Sequence, residues 1–363
     1  RLSWMLNNNY SQSRGYSHVY KYNPDGRSYS DANTSLMMVQ LNHFLNEKMF
    51  YDIKYSITDN NYGSYVFEDY DSYEVIKEDG IYQGVYRFEG DTVYNYVNDK
   101  YMTAFGTGFF TGGQDKGYTK RATVSRNFKT TFNWQATNAH SIKAGVSATF
   151  YDLKNTYHTI RNAYAGTELE SNNYKPIVLP DSTVYSDMYS VEPKEASFFL
   201  QDKFERDEIV INFGLRYDTF DANTYYPSQR RNPINASTYY LKNIDGTDSL
   251  DSNGNLVVDT QRMSEPIDSK VASQLSPRFG FAYQLGNVAV LHFSYGHFFQ
   301  MPPMYAIYSN HSSIIGPSDY STTVGNSNLA NDSLGLNAQK TVSYEVGLWQ
   351  ELGKNCLLYT SDA

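Results

Sequence analysis

The chain has 363 residues and a formal net charge of −9; it is rich in Tyr (35) and Phe (20) and holds one Cys. The acidic balance and the scattered Lys and Arg, with no run longer than two, exclude nucleic acid as a partner, because phosphate neutralisation needs clustered cations. No run approaches the roughly 18–20 consecutive apolar residues of a membrane helix, so only strands could carry this chain across a bilayer.

In chain order, alternation of period two predicts about ten strands, at residues 1–12, 34–45, 48–58, 119–134, 141–153, 195–206, 208–220, 273–285, 288–300 and 339–352. The chain starts at Arg1 with no initiator Met, in what reads as the middle of a strand (RLSWMLNNNY), and a fragment is therefore expected. The second hairpin arm sets Met49, Tyr51, Ile53, Tyr55 and Ile57 against Asp52, Lys54 and Ser56. Further on, Ile142, Ala144, Val146, Ala148 and Phe150 oppose Lys143, Gly145, Ser147 and Thr149. The stretch IVINFGLRYDTF divides into Ile209, Ile211, Phe213, Leu215 and Tyr217 against Val210, Asn212, Gly214, Arg216 and Asp218. Phe279, Phe281, Tyr283 and Leu285 then oppose Arg278 and Gly280; Leu291 and Phe293 oppose His292 and Ser294; Val346 opposes Glu345. Arg126 and Asp202 break the rule by falling on the apolar side, which requires either a bulge or a place at a membrane rim.

Connections alternate in length. Short turns are expected at Asn46-Glu47, Gln135 to His140, Asp207 and Gly286-Asn287, and long polar segments at 13–33, 59–118, 154–194, 221–272 and 301–338. That pattern predicts an antiparallel up-and-down meander with its long loops at one end. A soluble two-sheet sandwich also hides one face of each strand, but strands of ten or more residues exceed the soluble mode of about five to six and suit a tilted membrane strand of about 9–11. Mid-strand charges fit a wet lumen. The fold expected is an all-β transmembrane β-barrel, in part, with Ile211, Phe213, Leu215, Phe281, Leu291, Phe293 and Val346 facing lipid and Lys54, Lys143, Arg216, Arg278 and Glu345 facing the lumen.

Four stretches, EASFFLQDKFERDEIVINFGLRYD, LSPRFGFAYQL, VLHFSYGHFFQMPPM and GNSNLANDSLGLNAQKTVSYEVGLWQ, resemble in order and spacing the barrel of TonB-dependent outer-membrane receptors, particularly those of Bacteroidetes. The segment between Asn328-Leu329 and Lys340 is longer than the family usually carries. The family's N-terminal plug, its TonB-engaging segment and its closing strands are not found in this sequence. The resemblance implies a cell outer-membrane location and TonB-coupled import of a scarce nutrient, which would be a metal chelate, vitamin, glycan or peptide. Implied partners are outer-membrane lipid, the imported ligand, the TonB complex through the plug region, and a surface lipoprotein. A passive porin or adhesin barrel and a secreted β-sandwich binding protein are the competing readings. Residues 1–355 are assigned to the barrel. Residues 356–363 (CLLYTSDA) resemble the translation of a sequencing adapter, which would make Cys356 artefactual.

Motifs for chemistry are sparse. His18, His43, His140, His158, His292, His297 and His311 show no metal-ligand spacing. The run DSNGNLVVD offers Asp251, Asn253, Asn255 and Asp259 as oxygen ligands, but lacks the glycine at the sixth position and has Arg262 at the twelfth, so the calcium-loop pattern fails. Nucleophile-elbow, phosphate-loop and HExxH patterns do not occur, the carboxylates of Glu68 and Asp69 lie in a polar loop, and neither enzyme activity nor a cofactor is expected. Tyr62, Tyr65, Phe67, Tyr70 and Tyr73, then Phe105, Phe109 and Phe110 among Gly106, Gly108, Gly112 and Gly113, form an aromatic loop set that could stack on a ligand, with Tyr62, Tyr65, Tyr70, Phe109 and Phe110 as candidates. The competing reading is that these rings pack the loop against itself.

Overall fold

The structure, a computed structural model, describes residues 1–70, 73–75, 92–94, 96, 98, 104–105, 108–110, 112–171, 174–229, 232–235, 237–308, 337–351 and 357–362. One antiparallel sheet of twelve strands dominates it. The strands are β1 (Leu2–Ser13), β2 (Tyr29–Asn46), β3 (Met49–Tyr65), β4 (Gly117–Gln135), β5 (His140–Thr159) and β6 (Ser186–Val191). They continue with β7 (Lys194–Arg206), β8 (Ile209–Asp221), β9 (Ala272–Leu285), β10 (Ala289–Gln300), β11 (Gln339–Glu351) and β12 (Leu357–Asp362). Each pairs with its neighbour in sequence, except that β6 and β7 both pair with β5. The expected meander is therefore present, as an open sheet. A sandwich is ruled out by the same observation, since among the described residues no second large sheet covers either face.

The ten expected strands all form, and several run further than alternation foretold. β2 begins at Tyr29 rather than 34, β3 continues to Tyr65 rather than 58, and β5 reaches Thr159 rather than 153. The reason lies in residues such as Asp59, Asn60, Asn61 and Ser64. They are polar on both faces, so the two-residue hydrophobic signal vanishes, while their backbones still pair with Ser30 to Ser35 and with Thr119 to Val124. Tyr62 and Tyr65 consequently stand on a strand and not in the loop to which the sequence assigned them.

β6 was not foreseen. Its pairs Val191↔Leu153 and, in β7, Lys194↔Phe150 are in step, so β6 and β7 are one ladder interrupted at Glu192 and Pro193. Pro193 has no N–H to give, but its carbonyl still accepts from Tyr151 N at 3.0 Å. The tight turns are made where positive φ is tolerated: Asp207 (φ 52°) joins β7 to β8 and Gly286 (φ 62°) joins β9 to β10.

The sheet has no central core. Its apolar face stays open, with Phe213 at 53%, Leu200 at 50% and Val346 at 49% exposure. Burial occurs instead where loops fold back. One cluster joins Leu153, Val191, Phe220 and Ala222 to Ile307 and Tyr308 of the single-turn helix α1 (Met304–Tyr308). A second joins Tyr65, Val66, Tyr96, Tyr118 and Ile160. A face that a soluble protein could not leave in water is the strongest structural sign of a lipid environment.

Candidate functional site

Residues paired directly across antiparallel strands lie on the same face, so the register sorts every side chain. One row runs Asp202↔Phe213↔Phe279↔Tyr295↔Tyr344, and the next runs Phe204↔Ile211↔Phe281↔Phe293↔Val346. Leu215 opposes Leu200, and Leu291 opposes Tyr283 and Leu348. All seven residues expected on the lipid side thus share one face. The opposite face carries the row Lys143↔Gln201↔Gly214↔Arg278↔Gly296↔Ser343, with Arg216 in the row above and Glu345 in the row below. Lys54 shares it, directly across from Lys129.

Neither Arg126 nor Asp202 sits at a bulge, because the register through both is unbroken. Arg126, beside Ile57 and Phe150, marks the edge of the apolar rows, since the next row holds Asp59 and Asp152. Asp202 lies between Leu200 and Phe204, one row in from the turn end of the strands, where Phe204 pairs with His140. Its Oδ2 meets His140 Nδ1 at 2.7 Å, while its Oδ1 is buried without a partner among the described residues. The charge is answered by a neighbour on the same face, a solution that the bulge reading does not anticipate.

The polar face is sculpted by glycine. A Cβ at Gly145 would overlap the ring of Phe199, and one at Gly347 would overlap the imidazole of His292, so these rings lie flat across bare backbone. Gly214, Gly280 and Gly296 on the same face add no side chain of their own, and the side chains of Gln201, Asn212 and Phe298 lean in beside them. The result is a cavity of about 460 Å³ lined by Lys143, Gln201, Asn212, Arg278, Ser294 and Phe298 among others. Arg216 also borders it, but Asp218 holds its guanidinium, with Nε at 2.8 and 3.0 Å and Nη2 at 2.8 Å from the carboxylate. Glu345 is taken by His292 at 3.6 Å. Lys143 and Arg278 make no ion pair among the described residues. Arg278 instead rests 5.0 Å from the centroid of Phe298.

Above this cavity the chain after β10 folds over the polar face. Phe299 to Met304 close a second cavity of about 390 Å³ over Ser147, Glu195, Ser197 and the Arg216–Asp218 pair. Helix α1 anchors the strap. Ile307 and Tyr308 are fully buried, and Tyr308 Oη donates to Ala222 O at 2.7 Å.

The aromatic candidates are spread over several environments. Tyr62 is exposed at the end of β3, whereas Tyr65 is 2% exposed, donates to Asp31 Oδ2 at 3.1 Å and stacks on Tyr118. Tyr70 packs edge-on to Tyr118 and His158. Phe109 meets His18 and Tyr22, and Phe110 meets Tyr20, so this stretch packs against the first loop. The structure therefore does not gather the five candidates into one surface. The Tyr73 and Phe105 side chains, Gly106, His311, the segment between Asn328-Leu329 and the start of β11, and Cys356 lie outside the described residues.

His158 carries no signal in the sequence. It is 3% exposed, stacked at 4.5 Å on Tyr118, and among the described residues neither ring nitrogen has a hydrogen-bond partner. It stands on β5 beyond the charged row of Asp152, outside the apolar band, and burial depresses its pKa to about 4. Glu68 pairs with Lys120 at 3.2 Å on the surface. Asp251 uses its carboxylate to accept from the backbone N–H of Asn253 and Asn255, both at 2.8 Å, as a turn does. Among the described residues no group of three or more His, Cys, Asp or Glu converges on a metal position.

A family model for the outer membrane beta barrel domain matches residues 1–349. No curated protein sequence matches significantly. Among solved structures, the chain is similar to the copper transporter OprC (10% identity, TM-score 0.49, 93% of this chain and 40% of that one). It is also similar to the hemophore receptor HasR of Serratia marcescens (16%, TM-score 0.48, 96% and 40%). A third similar structure is the ferric-catecholate import receptor Fiu of E. coli K12 (13%, TM-score 0.43, 92% and 39%). The chain spans about two fifths of the length of these structures.

Proposed function

Because the chain belongs to the outer-membrane β-barrel domain family and so resides in the cell outer membrane, we propose that it forms part of the wall of a receptor that imports a scarce nutrient by TonB-coupled transport. The observation that carries the reading is the pairing of two faces on one sheet. The apolar face is fully open, and the polar face holds two cavities roofed at one end by the Phe299–Met304 strap. A passive pore needs a clear path, whereas a receptor needs pockets that hold its ligand on the way. The ligand is a metal chelate, vitamin, glycan or peptide. The energy-coupling parts and a surface lipoprotein belong to the complete locus.

The test is uptake by cells expressing the complete gene. Growth on, or accumulation of, a candidate nutrient is compared in hosts with and without a functional TonB complex, and with the proton-motive force collapsed. Accumulation that stops in both conditions supports the proposal. Uptake that is unchanged in both makes the barrel a passive pore.

A further inference from the structure

We propose that the cavity on the polar face of β5 and β7–β11 is an anion site, which takes a small organic ligand bearing carboxylate or phosphate groups between Lys143 and Arg278. The inference rests on the receptor reading, and names the chemistry of its ligand.

Three facts point the same way. First, the charge in the cavity is one-sided. Among the described residues no carboxylate lines it; Asp218, on the same face, is spent on Arg216, and Glu345 in the row below is turned to His292. Among the described residues Lys143 and Arg278 are left without counter-charge, on the same row with two strands between them, which carry Gln201 and Gly214. Second, the wall between the two cations is kept low by the sequence. Gly214 stands beside Arg278 on the side facing Lys143, and Gly296 flanks Arg278 on the other side, so neither neighbour of Arg278 along the row projects a side chain into the cavity. Third, Arg278 is held in place without being neutralised. The face of Phe298 supports its guanidinium while leaving its N–H groups free for a planar carboxylate or a phosphate, the geometry in which arginine forms two parallel hydrogen bonds. Gln201, Asn212 and Ser294 supply neutral polar groups around the pair.

Size limits the ligand. About 460 Å³ is far more than a bare phosphate fills and lies within the range of roughly 300–1,000 Å³ typical of small-molecule sites. The site therefore suits a polyanionic organic molecule, with one charge on each prong, better than a simple ion. A neutral sugar would leave both cations unanswered.

The test uses the full-length protein in detergent, with heat-modifiable migration on a gel certifying the fold of every variant. Titration calorimetry at low salt is run with citrate as a polycarboxylate probe, inorganic phosphate as a minimal one and glucose as a neutral one. Citrate binding tighter than phosphate, with none for glucose, is expected. Lys143→Gln combined with Arg278→Gln should weaken citrate at least tenfold, Arg278→Lys, which keeps the charge but not the paired hydrogen bonds, should fall between that double variant and the wild type, and Lys48→Gln in a remote turn should change nothing. The inference is overturned if folded wild-type protein binds neither anion, as it would be if an acidic side chain elsewhere in the polypeptide fills the cavity, or if the double variant binds citrate as well as the wild type. The two proposals fail separately. Citrate binding without TonB-dependent uptake rejects the receptor and keeps the cavity, and TonB-dependent uptake without anion binding does the reverse.

Discussion

Phe213 and Asp202 face each other across β7 and β8, and that one pair shows what the sequence could and could not say. Alternation placed both residues on the correct side but offered no way to see that His140, distant in sequence, would answer the carboxylate. We predict that His140→Ala destabilises the protein by about 1–3 kcal/mol, the cost of leaving a polar group unsatisfied away from water. The double change His140→Ala with Asp202→Leu should recover most of that loss, because an apolar pair suits an apolar face. Denaturant titration of the full-length protein in vesicles measures both; a double variant no better than the single one would mean the pair has no compensating role. An arginine at Phe213 is a poor probe of lipid contact, since Asp202 would pair with it. Phe293, between Phe281 and Val346, has no such neighbour. Phe293→Arg should cost about 2–4 kcal/mol near the bilayer midplane, and Ser294→Arg, which meets Glu345 on the polar face, far less. Equal costs in the same titration would remove the distinction between the faces.

At the scale of elements, the strands were legible wherever one face is apolar and the other polar, as in Ile209–Asp221. They were illegible where both faces meet water, as at Asp59 to Tyr65, and where a proline interrupts the ladder, as at Pro193. The cavities were illegible for another reason: they depend on which glycines fall side by side on neighbouring strands, and register sets that, not local pattern. The extension of β3 also changes a practical expectation. A deletion running from Tyr62 to Phe110 would remove strand pairing, so the informative deletion starts after Tyr70 and ends before Gly108. It should leave barrel assembly intact, as judged by heat-modifiable migration, and abolish high-affinity uptake; unchanged uptake would show that this loop is a cover or spacer. His158 makes the same region acid-sensitive. Its pKa is depressed when folded, so its stabilising effect is complete above the ordinary histidine value of about 6.5 and is lost as pH falls from there towards about 4. Hydrogen exchange around Tyr65, Tyr118 and Ile160 should accelerate over that window in the wild type, and less in His158→Phe; identical pH profiles would exclude His158 as the cause.

For the whole molecule, the meander and the sorting of its faces followed from period-two alternation and loop lengths, whereas ligand and energy coupling did not, because neither is encoded in strand pattern. The C-terminal stretch illustrates the limit of pattern. Leu357–Asp362 pairs with β11 as β12, yet a free strand edge accepts almost any extended segment, so pairing does not decide whether CLLYTSDA is native. We hold to the adapter reading and predict that independent reads of the locus replace it with another alternating strand; the same codons in adapter-free reads would restore Cys356.

The central claim is that one sheet separates lipid from a watery, ligand-bearing lumen, and β8 tests it most directly. Single cysteines at Ile211, Asn212, Phe213, Gly214, Leu215 and Arg216 of the full-length protein, each carrying a small fluorophore, are reconstituted into vesicles containing brominated lipid. The account predicts strong quenching at Ile211, Phe213 and Leu215 and little at Asn212, Gly214 and Arg216. Quenching that is uniform along the strand, or that alternates in the opposite phase, would contradict it.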